Sequence, residues 1–384
     1  MKKSSAFIFG EDACSPPMIN MKLKKILLLR QPIACLLIIV TLNSCKKEKI
    51  ASMATVNPVT IGLYEYASGG GKRIFIPITQ IGTQSFSYYG VFDTGSSGIT
   101  IDATGILPAS MITTSGIQVT GDSVVVNGIT VTSKTGTVSF GDATGTTKEY
   151  GNLAYASIKI GNTSGNYTFK RVPIFLYYKI VDGDGKQMAA HSSDVFGVGP
   201  GTSYASSEIT SPLRYFDAGS TGLISGFKLA TLNATSFSST GTYVSGLLTM
   251  GLTTADISSS GFIMHPLTYY SSGGYSPNIP GTISYSGKTI DAQFLFDTGT
   301  PSVTIIEDKL ATTSLGRLPA NSQVTLTTNK GFTYTYTTSS TGNLTEIQNP
   351  NNTADYRTIL SIDFFVKNEY LTDYTNHQIG LKNN

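Results

Sequence analysis

The sequence predicts an all-β protein built from two related halves, and three observations support this. Short apolar runs that alternate with polar residues recur from residue 59 onward, separated by turns rich in Gly, Asn, Asp and Ser. Charged residues make up only 13% of the 384 residues, so the polar surface comes mainly from hydroxyl and amide side chains. A short motif also occurs twice, 204 residues apart, as expected of a repeated unit.

The first 45 residues are typical of a secretory signal segment. Residues 21–25 are basic, an apolar stretch resumes over residues 33–42, and small residues precede Cys45. The sequence Leu-Asn-Ser-Cys is similar to a bacterial lipoprotein box, which would make Cys45 lipid-modified and the first residue of the mature chain. A single amino-terminal membrane anchor is the alternative, although the apolar run is short for a span. We expect residues 46–58 to form a tether and the protein to be extracytoplasmic, anchored to a membrane in the periplasm or at the cell surface.

Charge and cysteine content exclude several classes of function. The first 44 residues hold six of the 27 Lys and Arg residues and two of the 24 acids, so the remainder carries 21 basic and 22 acidic residues. No later basic run could follow a phosphate backbone, so nucleic acid is not an expected partner. All three cysteines lie within residues 1–45, which leaves no disulfide or thiol nucleophile for the folded part. The three histidines lack metal-ligand spacing, and we expect no metal and no cofactor.

The chain after the tether is predicted to form two lobes. The first, residues 59–255, begins with alternating runs such as RIFIPITQIG and QSFSYYGVFD, and the second covers residues 256–384. Helical periodicity is sparse, and the two candidate helices are residues 223–232 (LISGFKLATL) and 303–315 (VTIIEDKLATTSL). The glycine-rich GVGPG at residues 197–201 is interpreted as a buried strand and a turn.

The repeated motif places one acid in each half. VFDTGSSGITI at residues 91–101 aligns without a gap with FDTGTPSVTI at residues 296–305, which pairs Asp93 with Asp297. A single Asp-Thr-Gly is an ordinary turn sequence, but two copies with the same apolar entry and exit indicate a shared site. Each copy is followed by an apolar pair before a small residue, VFG at 195–197 and ILS at 359–361. In a structure with twofold-related halves, each such strand could lie beside its own turn.

Two carboxyl groups brought together in this way would share a proton, because neighbouring like charges lower one pKa and raise the other. The ionised acid can act as a base and the neutral one as an acid. Such a pair can activate water against a peptide carbonyl without a metal or a covalent intermediate. The hydroxyls of Ser96 and Thr300 can bond the adjacent carboxylates, and Thr94 and Thr298 could bridge the halves below them.

On these residues the chain resembles the pepsin-like aspartic peptidases of family A1, over nearly all of residues 59–381. The paired turns are the most specific match, and TVSFGDATG at residues 137–145 is similar to the flap hairpin of that family. The resemblance implies a bilobal β-fold with a cleft that binds an extended peptide. It also implies hydrolysis by a water held between Asp93 and Asp297, in a site shaped by Thr94, Gly95, Ser96, Thr298, Gly299 and Thr300. Two departures are Phe140-Gly141, where the flap usually has Tyr-Gly, and Ser361, where the second lobe would have glycine.

The combined prediction is a monomeric aspartic endopeptidase, anchored through lipid on Cys45, that hydrolyses extended or unfolded polypeptides. The alternative is a catalytically silent scaffold of the same fold that binds peptides or proteins, which Phe140 and Ser361 would favour. A surface β-module that binds glycans would explain the composition but not the paired turns.

Overall fold

Strands form most of the computed structural model, which describes residues 57–142, 145–218, 222–312 and 316–384. The predicted signal segment with Cys45, and all of the predicted tether except its last two residues, lie outside the described residues. Within the described ranges, no helix is long and apolar enough to cross a membrane. The all-β class predicted from the alternating pattern is confirmed.

The first half of the domain contains the longest strands. They are, in chain order, β1 (Val59–Ser68), β2 (Gly71–Ile81), β3 (Gln84–Asp93), β4 (Ser97–Asp102), β5 (Ile112–Thr113), β6 (Gly116–Ile117), β7 (Ser123–Val126), β8 (Ile129–Asp142), β9 (Gly145–Asn162), β10 (Gly165–Val181), β11 (Val195–Val198), β12 (Ile224–Leu229) and β13 (Thr242–Leu252). Single turns of 3-10 helix cover Ala109–Met111 and Pro212–Tyr215.

The second half has shorter strands and two short α-helices, α1 (Thr254–Ser258) and α2 (Pro350–Thr353). Its strands are β14 (Ile263–Pro266), β15 (Tyr269–Tyr270), β16 (Gly274–Tyr275), β17 (Ile279–Tyr285), β18 (Lys288–Phe296), β19 (Val303–Glu307), β20 (Gly316–Arg317), β21 (Gln323–Thr328), β22 (Thr333–Thr337), β23 (Leu344–Gln348), β24 (Arg357–Leu360), β25 (Asn368–Asp373) and β26 (Gln378–Asn383). A 3-10 helix covers Ile362–Val366.

Two large sheets contain nearly all of these strands. The larger has fourteen strands in the order β14-β26-β25-β12-β13-β1-β2-β3-β11-β4-β10-β9-β8-β7, and the smaller has eight in the order β20-β23-β19-β24-β18-β17-β21-β22. The smaller sheet lies wholly within the predicted second lobe. Strands β14, β25 and β26 of that lobe join the larger sheet through β12. The lobe boundary after residue 255 therefore stays a prediction, since one sheet carries strands from both sides of it.

Both candidate helices were predicted wrongly, because each range contains a strand, β12 in the first and β19 in the second, and its described residues include no helix. Strand β12 lies between β13 and β25, with Phe227 in register with Met250 on one side and Thr372 on the other. Strand β19 pairs in parallel with β23. A short apolar run fits either the helical or the strand period, and hydrogen bonding to strands far away in the sequence decides between them.

The repeated strand arrangement predicted around each turn is confirmed. Strand β11 lies parallel to β3, with Gly197 opposite Asp93, and antiparallel to β4. Strand β24 lies parallel to β18 and antiparallel to β19 in the same way. The strand that leads to each acid is thus hydrogen-bonded to an apolar strand from the same half.

Buried aromatic side chains pack against the residues that precede the two acids. Phe92, which precedes the first acid, lies 6.5 Å from Phe196 and 5.8 Å from Phe227 between ring centroids. Phe296, which precedes the second acid, lies 4.6 Å from Phe364. All of these side chains are buried. Burial of each phenyl group contributes about 1.5–3 kcal/mol, so the apolar entry of each repeat anchors its turn.

One buried carboxyl group in the first half lacks a compensating charge. Glu149 of β9 is fully buried, and neither of its carboxyl oxygens accepts a hydrogen bond of ordinary geometry from a described residue. Burial raises its pKa to about 9; the Thr100 hydroxyl offsets part of that rise, and Asp194 and Asp102 add to it. Glu149 is therefore neutral in the folded protein at neutral pH.

Replacing Glu149 with glutamine should remove a pH-dependent loss of stability. Because the folded pKa lies above the unfolded value of 4.5, the contribution of the neutral carboxyl is fully present below that value and is lost as the pH rises toward about 9. We expect Glu149→Gln to be more stable than wild type at about pH 7, by on the order of 2–3 kcal/mol, and not at about pH 4. Urea denaturation of wild type and variant at both pH values measures the free energies of unfolding. The same difference between the two proteins at both pH values would contradict the prediction.

Candidate active site

Asp93 ends strand β3 and lies in a tight turn that satisfies its carboxyl group. The N–H groups of Gly95 and Ser96 donate to Oδ1 at 2.7 and 3.2 Å, and the Ser96 hydroxyl donates to Oδ2 at 2.6 Å. The side chain is buried, with 7% of its surface exposed. These bonds fix the orientation of the carboxyl group, because both oxygens have a donor within the same turn.

Asp297 directly follows β18 and has the same surroundings. The N–H of Gly299 donates to Oδ1 at 2.7 Å, and the Thr300 hydroxyl donates to Oδ2 at 2.6 Å. Thr300 thus does for Asp297 what Ser96 does for Asp93, as the gap-free alignment of the two motifs suggests. The two acids have nearly equivalent hydrogen-bond partners.

The two carboxyl groups face each other across the glycines of the turns. A methyl group placed on Gly95 would lie 2.6 Å from Cγ of Asp297, and one placed on Gly299 would lie 2.7 Å from Cγ of Asp93. Both distances are shorter than real carbon contacts, so each turn requires glycine because of the acid in the other turn.

The contact between the acids affects the pKa of Asp93. Burial raises the pKa of Asp93 well above its usual range, and the charge of Asp297 and a hydrogen bond with Asp297 raise it further. The bonds from Ser96 and Gly95 oppose the rise. The pair therefore holds a proton at pH values where an isolated carboxyl group would be ionised.

Thr94 and Thr298 exchange hydrogen bonds between the two halves. The Thr94 hydroxyl donates to the carbonyl oxygen of Phe296 at 2.7 Å, and the Thr298 hydroxyl donates to that of Phe92 at 2.6 Å. The N–H of Thr94 donates to Thr298 Oγ1 at 3.1 Å, and that of Thr298 donates to Thr94 Oγ1 at 3.0 Å. Both side chains are completely buried. Since buried polar groups need partners, this exchange locks the turns together.

The backbone beyond each turn enters the left-handed region at the same repeat position. Gly98 has a φ of 94° and Ser302 has a φ of 53°. The serine is the less favourable residue there. Its hydroxyl accepts a hydrogen bond from the N–H of Lys72 at 3.2 Å, and Lys72 Nζ also pairs with Asp363 at 2.7 Å. Strand β2 thus helps to hold the loop that follows the second acid.

Two arginines near the acids were not identified from the sequence. Arg73 of β2 donates through Nη1 to the carbonyl oxygen of Gly299. Arg357 of β24 bonds Asp355 through both Nε and Nη2, and those bonds, followed by the charges of Asp355 and other acids including Asp297, raise its pKa. The β2–β3 hairpin contained a signal for Arg73. Continuing its antiparallel register by two residues from the pair Phe75–Val91 places Arg73 opposite Asp93.

The predicted flap is the hairpin of β8 and β9. Next to its turn, Phe140 pairs with Thr147 and Gly141 pairs with Thr146. Gly141 has a φ of 107°, and an added methyl group would lie 2.1 Å from the carbonyl oxygen of Gly145, so this position requires glycine. Phe140 is half-buried and packs against an apolar cluster that includes Val138. Its role in covering a substrate stays a prediction.

Ser361 is accommodated where glycine was expected. Its side chain is fully buried. Its N–H donates to Thr304 Oγ1 at 3.4 Å, and the two hydroxyls are 3.5 Å apart. The serine thus contacts the strand that follows the second turn.

The histidines make local contacts. His191 Nδ1 lies 2.6 Å from a carboxyl oxygen of Asp194, and His265 Nε2 lies 2.7 Å from the hydroxyl of Thr328. Within the described ranges, no group of three or more His, Cys, Asp or Glu side chains is arranged to hold a metal ion.

Substituting Gly95 should disturb the paired acids from the opposite turn. In Gly95→Ala the new methyl group would lie 2.6 Å from Cγ of Asp297, so the acid or the backbone must move. We expect the free energy of unfolding to fall by roughly 1–3 kcal/mol. Gly342→Ala is the matched control, because its methyl group would meet only the Ser339 hydroxyl at 3.5 Å. Urea denaturation compares the two variants, and equal stabilities would contradict the close packing of the turns.

Comparisons with known proteins support the fold but do not establish an activity. No protein-family model and no curated protein matches the sequence. Among solved structures, an aspartic proteinase from Irpex lacteus is similar with a TM-score of 0.54 and 17% identity, over 85% of this chain and 97% of that chain. The Basic 7S globulin from soybean is similar with a TM-score of 0.54 and 11% identity, over 85% of this chain and 96% of that chain. The predicted bilobal pepsin-like fold is confirmed at the level of architecture.

Proposed function

We propose that this protein is an aspartic endopeptidase that hydrolyses peptide bonds of extended or unfolded polypeptides. The observation that carries the proposal is the pair Asp93 and Asp297, which face each other with nearly equivalent hydrogen-bond partners. The raised pKa of Asp93 supports a pair that contains one proton. The similarity in fold to an aspartic proteinase is consistent with this assignment.

The reaction would use one ionised and one protonated acid. Asp297, as the base, takes a proton from a water while the water oxygen attacks the peptide carbonyl carbon. Asp93, as the acid, gives its proton to the carbonyl oxygen, which yields a tetrahedral diol. Asp297 then gives its proton to the amide nitrogen while Asp93 takes a proton from one hydroxyl of the diol, so the carbon–nitrogen bond breaks and an amine and a carboxylic acid are released. The pair ends with one proton, as it began.

The surrounding groups would hold this geometry throughout the reaction. The hydroxyls of Ser96 and Thr300 orient the two carboxyl groups. The threonine exchange fixes the distance between the turns. Because these donors are already in place, no reorganisation is required when charge moves between the acids.

Removing either acid should abolish hydrolysis. We expect Asp297→Asn and Asp93→Asn to lower kcat/KM by about 10³-fold or more, since each removes one partner of the proton transfer. The full chain is incubated with a denatured protein substrate from about pH 3 to about pH 7. Wild-type activity should fall as the pH rises through the raised pKa of Asp93, because Asp93 then has no proton to give to the carbonyl oxygen. If wild type and Asp297→Asn are equally inert, or equally active, the assignment fails.

A catalytically silent scaffold that binds peptides is the second candidate. Phe140 at the flap position favours it, since the phenyl group cannot form the hydrogen bond of a tyrosine. One of the similar solved structures is named a globulin. In this case, wild type and Asp297→Asn would bind an unfolded peptide with equal affinity, and neither would cleave it.

We also propose that Cys45 carries a lipid that anchors a monomeric, extracytoplasmic protein to a membrane. The support is the sequence before Cys45, which resembles a lipoprotein box.

Fractionation of bacterial cells that produce the full chain tests the anchor. Cys45→Ser should move the protein from the membrane fraction to the aqueous fraction, because one signal for lipid attachment is lost. Cys35→Ser is the matched control and should stay with the membranes. Retention of Cys45→Ser in the membrane fraction would instead support the uncleaved amino-terminal anchor.

A further inference from the structure

A guanidinium group without a carboxylate partner lies beside the two acids. Arg73 donates through Nη1 to the carbonyl oxygen of Gly299, which belongs to the turn of Asp297. Burial lowers the pKa of Arg73, whereas the charges of Asp297 and Asp93 raise it, so both acids are within electrostatic reach. Among the described residues, no carboxylate oxygen lies within 4.0 Å of its nitrogens.

The neighbouring cations are already paired. Lys72 Nζ lies 2.7 Å from Asp363. Arg357 Nη2 lies 2.6 Å from Asp355, and its Nε lies 2.8 Å from the same carboxyl group. Within the part of the chain that the structure describes, Arg73 therefore differs from Lys72 and Arg357, because no carboxylate is in direct contact with it.

The free donors of Arg73 suit a carboxylate. A guanidinium carries five N–H donors in a planar fork that matches the two oxygens of a carboxylate. In the described residues the Gly299 carbonyl accepts from one of them, and the side chain is partly exposed. A peptide bound across Asp93 and Asp297 would pass close to the Arg73 guanidinium group, since that group bonds the same turn that holds Asp297.

We propose that Arg73 is a specificity-determining residue that binds an acidic side chain of the substrate, Asp or Glu, close to the scissile bond. This inference rests on the proposed endopeptidase activity. The negative charge of the paired acids would otherwise repel such a side chain. Arg73 offsets the repulsion and supplies charge-assisted hydrogen bonds. One position of an extended peptide should therefore favour glutamate over glutamine, which has the same shape without the charge.

Matched peptides test this preference. Glutamate and glutamine are placed in turn at each position around the cleaved bond of a good substrate, and kcat/KM is measured with the full chain. At about pH 6 the glutamate peptide should be cleaved about tenfold faster at one position, and at about pH 3, where glutamate is protonated, the ratio should approach one. Arg73→Met should bring the ratio of kcat/KM for the glutamate peptide to that for the glutamine peptide close to one at both pH values. Arg73→Lys should retain part of it, since lysine keeps the charge but not the fork.

Controls separate Arg73 from other causes. Arg357→Met, which removes a cation already paired with Asp355, and Arg171→Met, at an exposed position of strand β10, should leave the ratio near its wild-type value. An equal effect of Arg73→Met on both peptides would show that Arg73 is only a counter-ion of the acids and would overturn the inference, as would a wild-type ratio of one.

Binding to the Asp297→Asn variant measures the same preference without cleavage. The dissociation constants of the glutamate and glutamine peptides should differ by about tenfold, and the additional change Arg73→Met should remove the difference. A Glu preference in binding with no cleavage by wild type would overturn the endopeptidase proposal and leave Arg73 only as a residue that binds an acidic side chain of a peptide. Cleavage by wild type without a preference for glutamate in kcat/KM or in binding would overturn the proposal for Arg73 and leave the endopeptidase proposal standing.

Discussion

Contact between two carboxyl groups is the constraint on which the rest of the structure depends. Like charges that are buried together repel each other and lose hydration, so such a pair persists only in a rigid frame that supplies hydrogen bonds. Each turn provides a backbone N–H and a hydroxyl for its own acid, and each glycine makes room for the acid of the other turn. The apolar strands and phenyl groups beneath the turns hold this frame in place.

The sequence predicts the part of the site that is local and repeated. The alignment of residues 92–101 with residues 296–305 correctly pairs Ser96 with Thr300, and it pairs Gly98 with Ser302, which share a left-handed backbone. The parallel strands β11 and β24 are also foreseen, because an apolar run before a small residue follows each motif. These features depend on residues close together in the chain or on comparison of one half with the other.

Features that depend on distant pairing are not visible in the sequence. Strand β12 is interpreted as a helix because its partner β25 lies far along the chain. Arg73 looks like an ordinary charged residue at a strand start until the hairpin register places it opposite Asp93. Glu149 looks like an ordinary charged strand residue beside Lys148, yet its side chain is fully buried and lies near Thr100 of β4. In each case the deciding interaction comes from another element of the fold.

Neither half of the domain can satisfy its own innermost polar groups. The acceptor of the Thr94 hydroxyl is the carbonyl of Phe296, and the acceptor of the Thr298 hydroxyl is the carbonyl of Phe92. A substitution that removed one hydroxyl while the turns stayed packed would leave a buried carbonyl without that partner, at a cost of about 1–3 kcal/mol. The two turns can therefore keep their paired geometry only while both halves are folded against each other.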